Sequence, residues 1–226
     1  MTLKERYDGV LGYFEAAMPQ VSTELSYGSE FQLLVAVVLS AQCTDRRVNQ
    51  VTPALFAAYP TAAAMMRASE EDLLRYMGSV SYPNSKARHL RELSAMIMEE
   101  FGGEVPRTME ELTRLPGVGR KTANVMLAVA FGESAIAVDT HVFRVSNRVG
   151  LASGRTPLEV ETALTKHIPP EKRADAHHWI LLHGRYVCKA QRPDCLNCGI
   201  SEWCKWKQTT ERTSNKKRER KQSTKK

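Results

Sequence analysis

Residues 115–123 read Leu-Pro-Gly-Val-Gly-Arg-Lys-Thr-Ala, and Asp139 follows eighteen positions after the lysine. Two glycines two positions apart let the backbone take positive φ and approach another chain closely. We therefore expect a tight turn at Gly117 and Gly119, followed by a helix over about 118–131. The first N–H groups of a helix have no partner within it, so they can bind an anion, and phosphate is the anion that this turn favours.

This glycine turn differs from two common nucleotide-binding motifs. A P-loop has glycine directly before Lys-Ser/Thr, and Arg120 occupies that position. The dinucleotide motif G-x-G-x-x-G needs a small third residue, where Thr122 stands, and a strand before the turn. Residues 109–114 have a helical pattern instead. The pattern therefore argues against a nucleotide site.

The turn and the aspartate resemble the helix-hairpin-helix of DNA glycosylases, specifically that of the endonuclease III family. The matching residues are Leu-Pro-Gly-Val-Gly-Arg-Lys-Thr-Ala at 115–123 and Val-Asp-Thr-His at 138–141. The resemblance implies that the hairpin amides bind DNA phosphates, that Lys121 is the nucleophile and that Asp139 is its partner. For the turn alone, an ordinary helix connection with a solvated lysine is the simpler interpretation. Asp139 and the cysteines described below favour the glycosylase.

The resemblance extends to residues that would enter or contact DNA. A glutamine follows Leu-Ser-Ala at 39–41, as in the family, which implies that Gln42 enters the duplex. Tyr82 precedes the Asn-x-Lys-Ala motif at 84–87, and we take it as a second wedge, although packing on the next helix explains it equally well. The expected DNA-binding residues are Gln42, Tyr82, Leu115, Gly117, Val118, Gly119, Arg120, His141, Lys189 and Arg192.

Four of the five cysteines lie close together near the C-terminus, with the spacing C-x6-C-x2-C-x5-C. Thiolates are soft ligands, and four at such intervals can close around zinc or a [4Fe–4S] cluster. A C-x2-C pair is typical of zinc sites, whereas the complete spacing matches the cluster loop of the endonuclease III family. That resemblance implies a [4Fe–4S] cluster bound by Cys188, Cys195, Cys198 and Cys204.

The positive charge of the chain is concentrated at its C-terminal end. The net charge is +7 at pH 7, yet residues 205–226 alone contain ten Lys or Arg and two Glu. The remainder is close to neutral, so the folded part must bind DNA through a local patch. Residues 207–226 lack apolar periodicity, and we expect a disordered basic tail that adds non-specific DNA affinity.

The sequence contains neither an evident secretory signal nor a membrane-spanning run. The first twenty residues lack the apolar core of a signal peptide, and the longest apolar run, 33–39, is too short to span a bilayer. We expect a cytoplasmic monomer without membrane contact, associated with the nucleoid in a bacterium. In that reducing compartment disulfides are disfavoured, and Cys43 is expected to be a small buried residue.

Helical periodicity and capping residues recur along the chain, whereas alternating strand patterns do not. The sequence therefore predicts an all-α fold of about ten helices. The resemblance implies two lobes: a six-helix barrel with the hairpin at 22–132, and an iron–sulfur domain formed by 1–21 and 133–206. The predicted helix caps are Ser29, Thr44, Ser69, Thr108, Asp139 and Thr156, with Thr108–Glu111 and Thr156–Glu159 as capping boxes.

Some polar residues have two open interpretations. The histidines at 141, 177, 178 and 183 are not spaced to share one helix face, so packing or phosphate contact explains them better than a metal site. Arg144 and Arg148, four residues apart, would line one helix face that is turned either to DNA or to solvent.

The resemblance covers about residues 20–206 and implies a bifunctional DNA glycosylase and AP lyase for oxidised pyrimidines in double-stranded DNA. Lys121 would displace the base of a flipped nucleotide, form a Schiff base and cleave 3′ of the abasic site by β-elimination. The amine must be uncharged to attack. The helix N-terminus and Arg120 favour that form, whereas the anion of Asp139 opposes it.

Other functions fit parts of this pattern. A non-catalytic DNA-binding module would need the hairpin but neither Lys121 nor Asp139. A monofunctional glycosylase of the same superfamily, such as an adenine glycosylase, would share the hairpin, the aspartate and the cluster but lack the lysine. A small electron carrier would need the cluster without the hairpin. The presence of all these features together favours the bifunctional enzyme.

Overall fold

The computed structural model describes residues 1–207, and within this range the chain is helical with no strand. The prediction of an all-α fold is confirmed. The basic tail expected over 207–226 lies, apart from Lys207, outside the described residues. The α-helices are α1 (Leu3–Ala17), α2 (Glu30–Ser40), α3 (Asp45–Ala58), α4 (Ala62–Met65), α5 (Glu70–Met77), α6 (Pro83–Glu100), α7 (Met109–Arg114), α8 (Arg120–Val129), α9 (Thr140–Val149), α10 (Pro157–His167) and α11 (Arg173–Tyr186). Two short 3₁₀ helices occupy Pro170–Lys172 and Ser201–Trp203.

Most of the helices begin at the capping residues that the sequence predicts. The side chains of Ser29, Thr44 and Ser69 each accept a hydrogen bond from the amide three residues later. Such a bond satisfies one of the unpaired N–H groups of the first turn. These helix starts are therefore encoded within four consecutive residues.

The two predicted capping boxes form only in part. Thr108 Oγ1 accepts from the Glu111 amide, but the glutamate side chain accepts from the threonine hydroxyl rather than from the threonine N–H. At α10 the Glu159 carboxylate accepts from the amide of Arg155, one residue before the cap. A complete capping box forms instead at α1, between Thr2 and Glu5, where the sequence analysis did not predict one.

The chain divides into two compact units, of which one is Ser22–Ala137 and contains α2 to α8. Helix α2 is its centre: from Leu33 through Leu39 every residue is at most 3% exposed. A helix that is apolar on all sides must be enclosed, and α3, α6 and α8 pack against it. The core of this unit also includes Leu115 and Val118, which flank the glycine turn.

The other unit combines Met1–Val21 with the chain from Val138 onward. Helix α1 packs against α11, and α9 packs against both α10 and α11. The indole Nε1 of Trp179, in α11, donates to the carbonyl of Met18 at 2.8 Å. The hydroxyl of Tyr7 donates to the carbonyl of Leu151, also at 2.8 Å. These bonds attach the first helix to the last third of the chain.

No described helix combines the length and the apolarity needed to cross a membrane.

Candidate functional site

The glycine turn joins α7 to α8 and is held by its own backbone. Val118 N donates to Leu115 O at 3.0 Å, and Gly117 between them has φ 79°. Proline followed by glycine at positive φ is the pattern of a type II turn. Leu115 and Val118 are 2% and 5% exposed, so their side chains anchor the turn in the core. The exposed surface of the turn is therefore largely backbone.

Gly119 differs from what the sequence predicts, because its φ is −94° and any residue can adopt that angle. Gly119 is the N-cap of α8, and a Cβ built on it meets no described heavy atom within 4 Å. Its amide and that of Gly117 donate to no acceptor within residues 1–207. Nothing in the described fold requires glycine at 119, and the space beside its Cα is open.

Lys121 is the second residue of α8 and is exposed. Its ammonium group makes no hydrogen bond or ion pair within the described residues. Arg120, the first residue of the helix, is also exposed. The amine therefore stands at a helix N-terminus, next to the unpaired amides of the turn, which is an electropositive position.

Asp139 is the N-cap of α9, as predicted, and it is half-buried. Its Oδ1 accepts from the amide of Val142 at 2.7 Å. No other hydrogen bond or ion pair involves its carboxylate within the described residues. One carboxylate oxygen thus holds the helix start while the other remains without a protein partner in this part of the chain.

His141 is the second residue of α9 and is partly buried. Its Nδ1 lies 3.2 Å from Nη2 of Arg144. A guanidinium group can only donate, so Nδ1 accepts and the ring proton sits on Nε2. The imidazole is therefore oriented as a donor through Nε2.

Arg144 and Arg148 do not match either interpretation given above, because both bind backbone carbonyls at the end of α11 and just after it. Arg144 donates to the carbonyls of Gly184 at 2.8 Å and Cys188 at 3.2 Å. Arg148 donates to those of Lys189 at 2.7 Å and Ala190 at 2.8 Å. The last carbonyls of a helix and those just after it have no donor from the helix backbone, and the two arginines supply the donors.

Gln42 and Tyr82, the two expected wedge residues, share an unusual backbone conformation. Three non-glycine residues within 1–207 have positive φ: Gln42 at 54°, Tyr82 at 55° and Arg192 at 51°. All three belong to the predicted DNA-binding set. Such strain persists only where the surrounding structure imposes it, and it concentrates at functional sites.

Residues 41–44 between α2 and α3, the Gln42 loop, are joined to residues 78–82 between α5 and α6, the Tyr82 turn. Ser81 Oγ donates to the carbonyl of Gln42 at 2.8 Å. Gln42 is exposed, and Tyr82 is 65% exposed despite its large apolar ring. The structure thus brings Gln42 and Tyr82 onto one surface of the unit 22–137.

The four C-terminal cysteines line one small cavity in the other unit, together with Arg148 and His183. Within residues 1–207 no three His, Cys, Asp or Glu side chains are gathered closely enough to hold a single metal ion. The thiols therefore surround the cavity rather than converge on one point. Burial, followed by the neighbouring cysteines, raises the pKa of the Cys195 and Cys198 thiols. Thiolates this close together need a compensating positive charge.

Two donors of this cavity face the sulfur atoms. Arg148 Nη1 lies 3.8 Å from Cys188 Sγ, and His183 Nε2 lies 3.6 Å from Cys198 Sγ. Burial lowers the pKa of His183 to about 4. Both groups would donate to thiolate sulfur. The sequence analysis did not predict either contact, since local spacing does not indicate contacts between residues 40 and 15 positions apart.

Helix α1 packs against the segment around the last two cysteines through close glycine contacts. A Cβ on Gly9 would lie 2.1 Å from the indole nitrogen of Trp203, and a Cβ on Gly199 would lie 2.0 Å from the ring of Tyr13. Arg6 Nε donates to the Trp203 carbonyl at 2.8 Å. The other predicted DNA contacts, Lys189 and Arg192, are exposed in residues 188–204, the cysteine segment.

Gly9→Ala should destabilise this unit by roughly 1–3 kcal/mol, because the added methyl group displaces the Trp203 indole. The measurement is thermal unfolding together with tryptophan fluorescence. Gly12→Ala is the matched control, since Gly12 lies in the same helix and a Cβ there meets nothing within 4 Å. The control should gain about 0.5–1 kcal/mol from helix propensity. Equal effects of the two substitutions would contradict the packing argument.

A hairpin that joins two helices of an all-α unit, and leads directly into an exposed lysine, defines a helix-hairpin-helix protein. The profile described as HhH-GPD superfamily base excision DNA repair protein matches residues 35–170. Endonuclease III of Rickettsia conorii (strain Malish 7) is 49% identical over 84% of this chain and 91% of its own length. Endonuclease III of Escherichia coli K12 is 46% identical over 84% and 90%, respectively. The structure of a trapped endonuclease III–DNA covalent intermediate, an estranged-adenine complex, has a TM-score of 0.88 at 44% identity and covers 93% of this chain and 100% of that chain.

The chain belongs to the HhH-GPD superfamily of base excision DNA repair proteins. Its similarity to endonuclease III over most of its length shows that it is an enzyme, a DNA glycosylase and AP lyase. The predicted family, fold class and enzyme class are thus confirmed.

Proposed function

We propose that this enzyme removes oxidised pyrimidines of the thymine glycol type from double-stranded DNA and cleaves the strand 3′ of the resulting abasic site. The observation that carries the proposal is the position of Lys121, which is exposed at the N-terminus of α8. It directly follows a turn whose Gly117 and Gly119 amides have no acceptor within residues 1–207. The turn that can bind the DNA backbone and the lysine that can act as nucleophile are therefore adjacent in the chain. A covalent intermediate trapped for a structurally similar endonuclease III supports a covalent step here.

The hairpin would bind phosphate through backbone groups. Gly117 and Gly119 present N–H donors, and the absence of a side chain at 119 leaves room for a phosphate to approach. Leu115 and Val118 contribute only their backbone, because their side chains are buried. Arg120 and His141 are the side-chain candidates for further phosphate contacts, His141 through Nε2–H.

Lys121 acts as the nucleophile in this proposal. Its Nζ attacks C1′ of the flipped nucleotide, and the glycosidic bond breaks as the base departs with a proton. Ring opening converts the C1′–N bond into an imine, which is the Schiff base. Loss of a C2′ proton then expels the 3′ phosphate, and hydrolysis of the imine frees the amine. Cleavage of the strand thus follows from the use of an amine rather than water.

Asp139 acts through its second carboxylate oxygen, which has no protein partner within the described residues. Its negative charge stabilises the positive charge that develops on the sugar as the base leaves. Gln42 and Tyr82 fill the space that the flipped nucleotide vacates. Their exposure and their imposed positive φ support this role.

The four cysteines fit a [4Fe–4S] cluster, since they surround one cavity that also receives a guanidinium and an imidazole. The residues that would hold it are Cys188, Cys195, Cys198 and Cys204. When bound, the group would supply iron–sulfur bonds that shape the loop. Lys189 and Arg192 are exposed on this loop and would contact phosphates of the DNA backbone.

Borohydride trapping tests the proposal, because borohydride reduces an imine to a stable amine. The substrate is a duplex with one thymine glycol, and the expected result is a covalent protein–DNA adduct with strand cleavage 3′ of the lesion. Base release without an adduct would indicate a monofunctional glycosylase that uses water. Tight binding with neither product would indicate a non-catalytic DNA-binding module.

Gly119→Ala should weaken DNA binding about tenfold, which is about 1.4 kcal/mol, because the methyl group occupies the path of the phosphate. The stability loss should stay below about 1 kcal/mol, because φ at 119 suits alanine. Fluorescence anisotropy with an uncleavable abasic-site duplex and thermal unfolding measure the two effects.

Gly132→Ala is the control for this glycine experiment. Gly132 has φ 67° and lies outside the hairpin, and a Cβ there meets nothing within 4 Å. Alanine should therefore cost about 1–2 kcal/mol of stability through backbone strain and leave DNA affinity unchanged. If Gly119→Ala left the affinity for the abasic-site duplex unchanged, the proposed phosphate contact at Gly119 would be wrong.

A further inference from the structure

Lys86 is a lysine enclosed within a protein core. It lies in α6, is 5% exposed, and donates from Nζ to the carbonyls of Leu39 and Ala41, each at 2.8 Å. Burial lowers its pKa, and a charged amine is among the groups least often buried in proteins. An apolar side chain of similar length would fill the space without that cost. The lysine therefore needs a reason that core packing does not supply.

The two carbonyls bound by Lys86 lie directly before the Gln42 loop. Leu39 belongs to the last turn of α2, and Ala41 is its C-cap. The last carbonyls of a helix have no partner within it, and here the bond to Leu39 is buried and the bond to Ala41 partly buried. The ammonium group supplies the missing donors and a charge that is favourable at a helix C-terminus. Ala41 is followed immediately by Gln42 at φ 54°. The bonds from the Lys86 amine thus hold in place the residues immediately before Gln42.

Lys86 is also attached to the second wedge residue. Tyr82 is the N-cap of α6, and its carbonyl accepts from the amide of Lys86 at 3.2 Å. From the other side, Ser81 Oγ donates to the carbonyl of Gln42. The Lys86 side chain therefore binds the residues just before Gln42, and Ser81 binds the carbonyl of Gln42 itself. In the sequence, Ser81 directly precedes Tyr82, and Lys86 follows it by four residues.

The same helix also contacts the hairpin. His89 follows Lys86 by three residues, and its side chain would lie 3.0 Å from a Cβ on Gly117. Lys86 and His89 are three residues apart, so they lie on one face of α6, and Tyr82 is the N-cap of this helix. The first turns of α6 and its N-cap thereby contact or carry all three expected DNA-contacting segments of this unit.

We propose that Lys86 is a positioning residue for base extrusion, which sets the Gln42 loop against the Tyr82 turn so that both side chains can fill the vacated space. This inference rests on the proposed function, since it assumes that Gln42 and Tyr82 enter the duplex. Loss of the amine should then slow the extrusion of a paired base. It should have little effect where no base pair has to be broken.

The test is Lys86→Met, which keeps the length of the side chain and removes its donors and charge. Single-turnover base release is measured for a thymine glycol paired with adenine and for the same lesion opposite an abasic residue. We expect a loss on the order of 10²-fold on the paired substrate, in line with displacement of a positioned group by about 1 Å. On the unpaired substrate the loss should be within about threefold.

Two further variants separate positioning from stability. Ser81→Ala removes the hydrogen bond from Ser81 to the carbonyl of Gln42. Like Lys86→Met, it should lower the ratio of the rate on the paired substrate to the rate on the unpaired substrate. Arg88→Met is the matched control, because Arg88 is an exposed residue of the same helix and forms an ion pair with Glu92 at 3.9 Å. It should leave both rates as in the wild type. Circular dichroism and thermal unfolding of each variant establish that it is folded.

Three outcomes decide the matter. A selective loss on the paired substrate in a folded Lys86→Met variant supports positioning. Equal losses on both substrates, or none on either, would overturn the inference while the proposed function stands. A wild-type enzyme that releases base from neither substrate would overturn the proposed function itself.

Discussion

Replacing Lys121 by alanine should abolish the borohydride-trapped adduct and lower the single-turnover rate of base release by on the order of 10⁴-fold or more, as expected when a nucleophile is removed. The fold should be unaffected. Lys121 is exposed and bonds to no group within the described residues, so stability should change by less than about 0.5 kcal/mol. Binding of an uncleavable abasic-site duplex should fall only by the contribution of one charge.

Lys166→Ala is the matched control for this substitution. Lys166 is an exposed lysine in the last turn of α10, outside the hairpin and the cysteine segment. The control should keep both the adduct and the rate. If Lys121→Ala still formed an adduct, another amine would be the nucleophile, and peptide mapping of the reduced adduct would locate it.

Replacing Asp139 by asparagine or by alanine should separate the catalytic role of this residue from its structural role. Asparagine keeps an oxygen that can accept from the amide of Val142, so the N-cap of α9 should survive. The charge is lost, and base release should slow by roughly 10²–10⁴-fold, the range typical of a positioned catalytic side chain. Single-turnover kinetics on the thymine glycol duplex and thermal unfolding provide the two measurements.

Alanine at position 139 removes the cap as well as the charge. Asp139→Ala should therefore lose about 1 kcal/mol of stability relative to Asp139→Asn, while the two variants lose activity to a similar extent. Wild-type activity in Asp139→Asn would show that the aspartate serves only as a helix cap. Wild-type stability in Asp139→Ala would contradict the capping role instead.

The cysteine segment shows which features of a site its sequence motif predicts and which it does not. The spacing of four cysteines indicates a metal or cluster site, and the structure indeed places these cysteines around one cavity. The spacing does not indicate that Arg148 and His183 face two of the sulfurs, or that Gly9 gives room to Trp203. These contacts join the cysteine segment to three different helices, so their geometry depends on how α1, α9 and α11 pack.

Helix starts, the hairpin and the cysteine cavity were all open to prediction because each depends on residues close in sequence. Ser29, Thr44 and Asp139 each cap a helix through an amide three positions later, and the Pro-Gly pair dictates the hairpin turn. The prediction of positive φ at Gly119 was wrong, because the backbone there is extended and suits any residue.

Only the tertiary structure decided which distant residues meet. It joined the first helix to the last third of the chain, turned Arg144 and Arg148 inward to carbonyl groups, and placed the buried amine of Lys86 beneath the Gln42 loop. A local sequence pattern carries no information about these pairs, since a buried donor finds its acceptor through the packing of whole helices. Thus the amino-acid sequence by itself determined the helices, the hairpin and the position of the exposed lysine that we propose as the nucleophile. The packing determined how the Gln42 loop and the Tyr82 turn are held together.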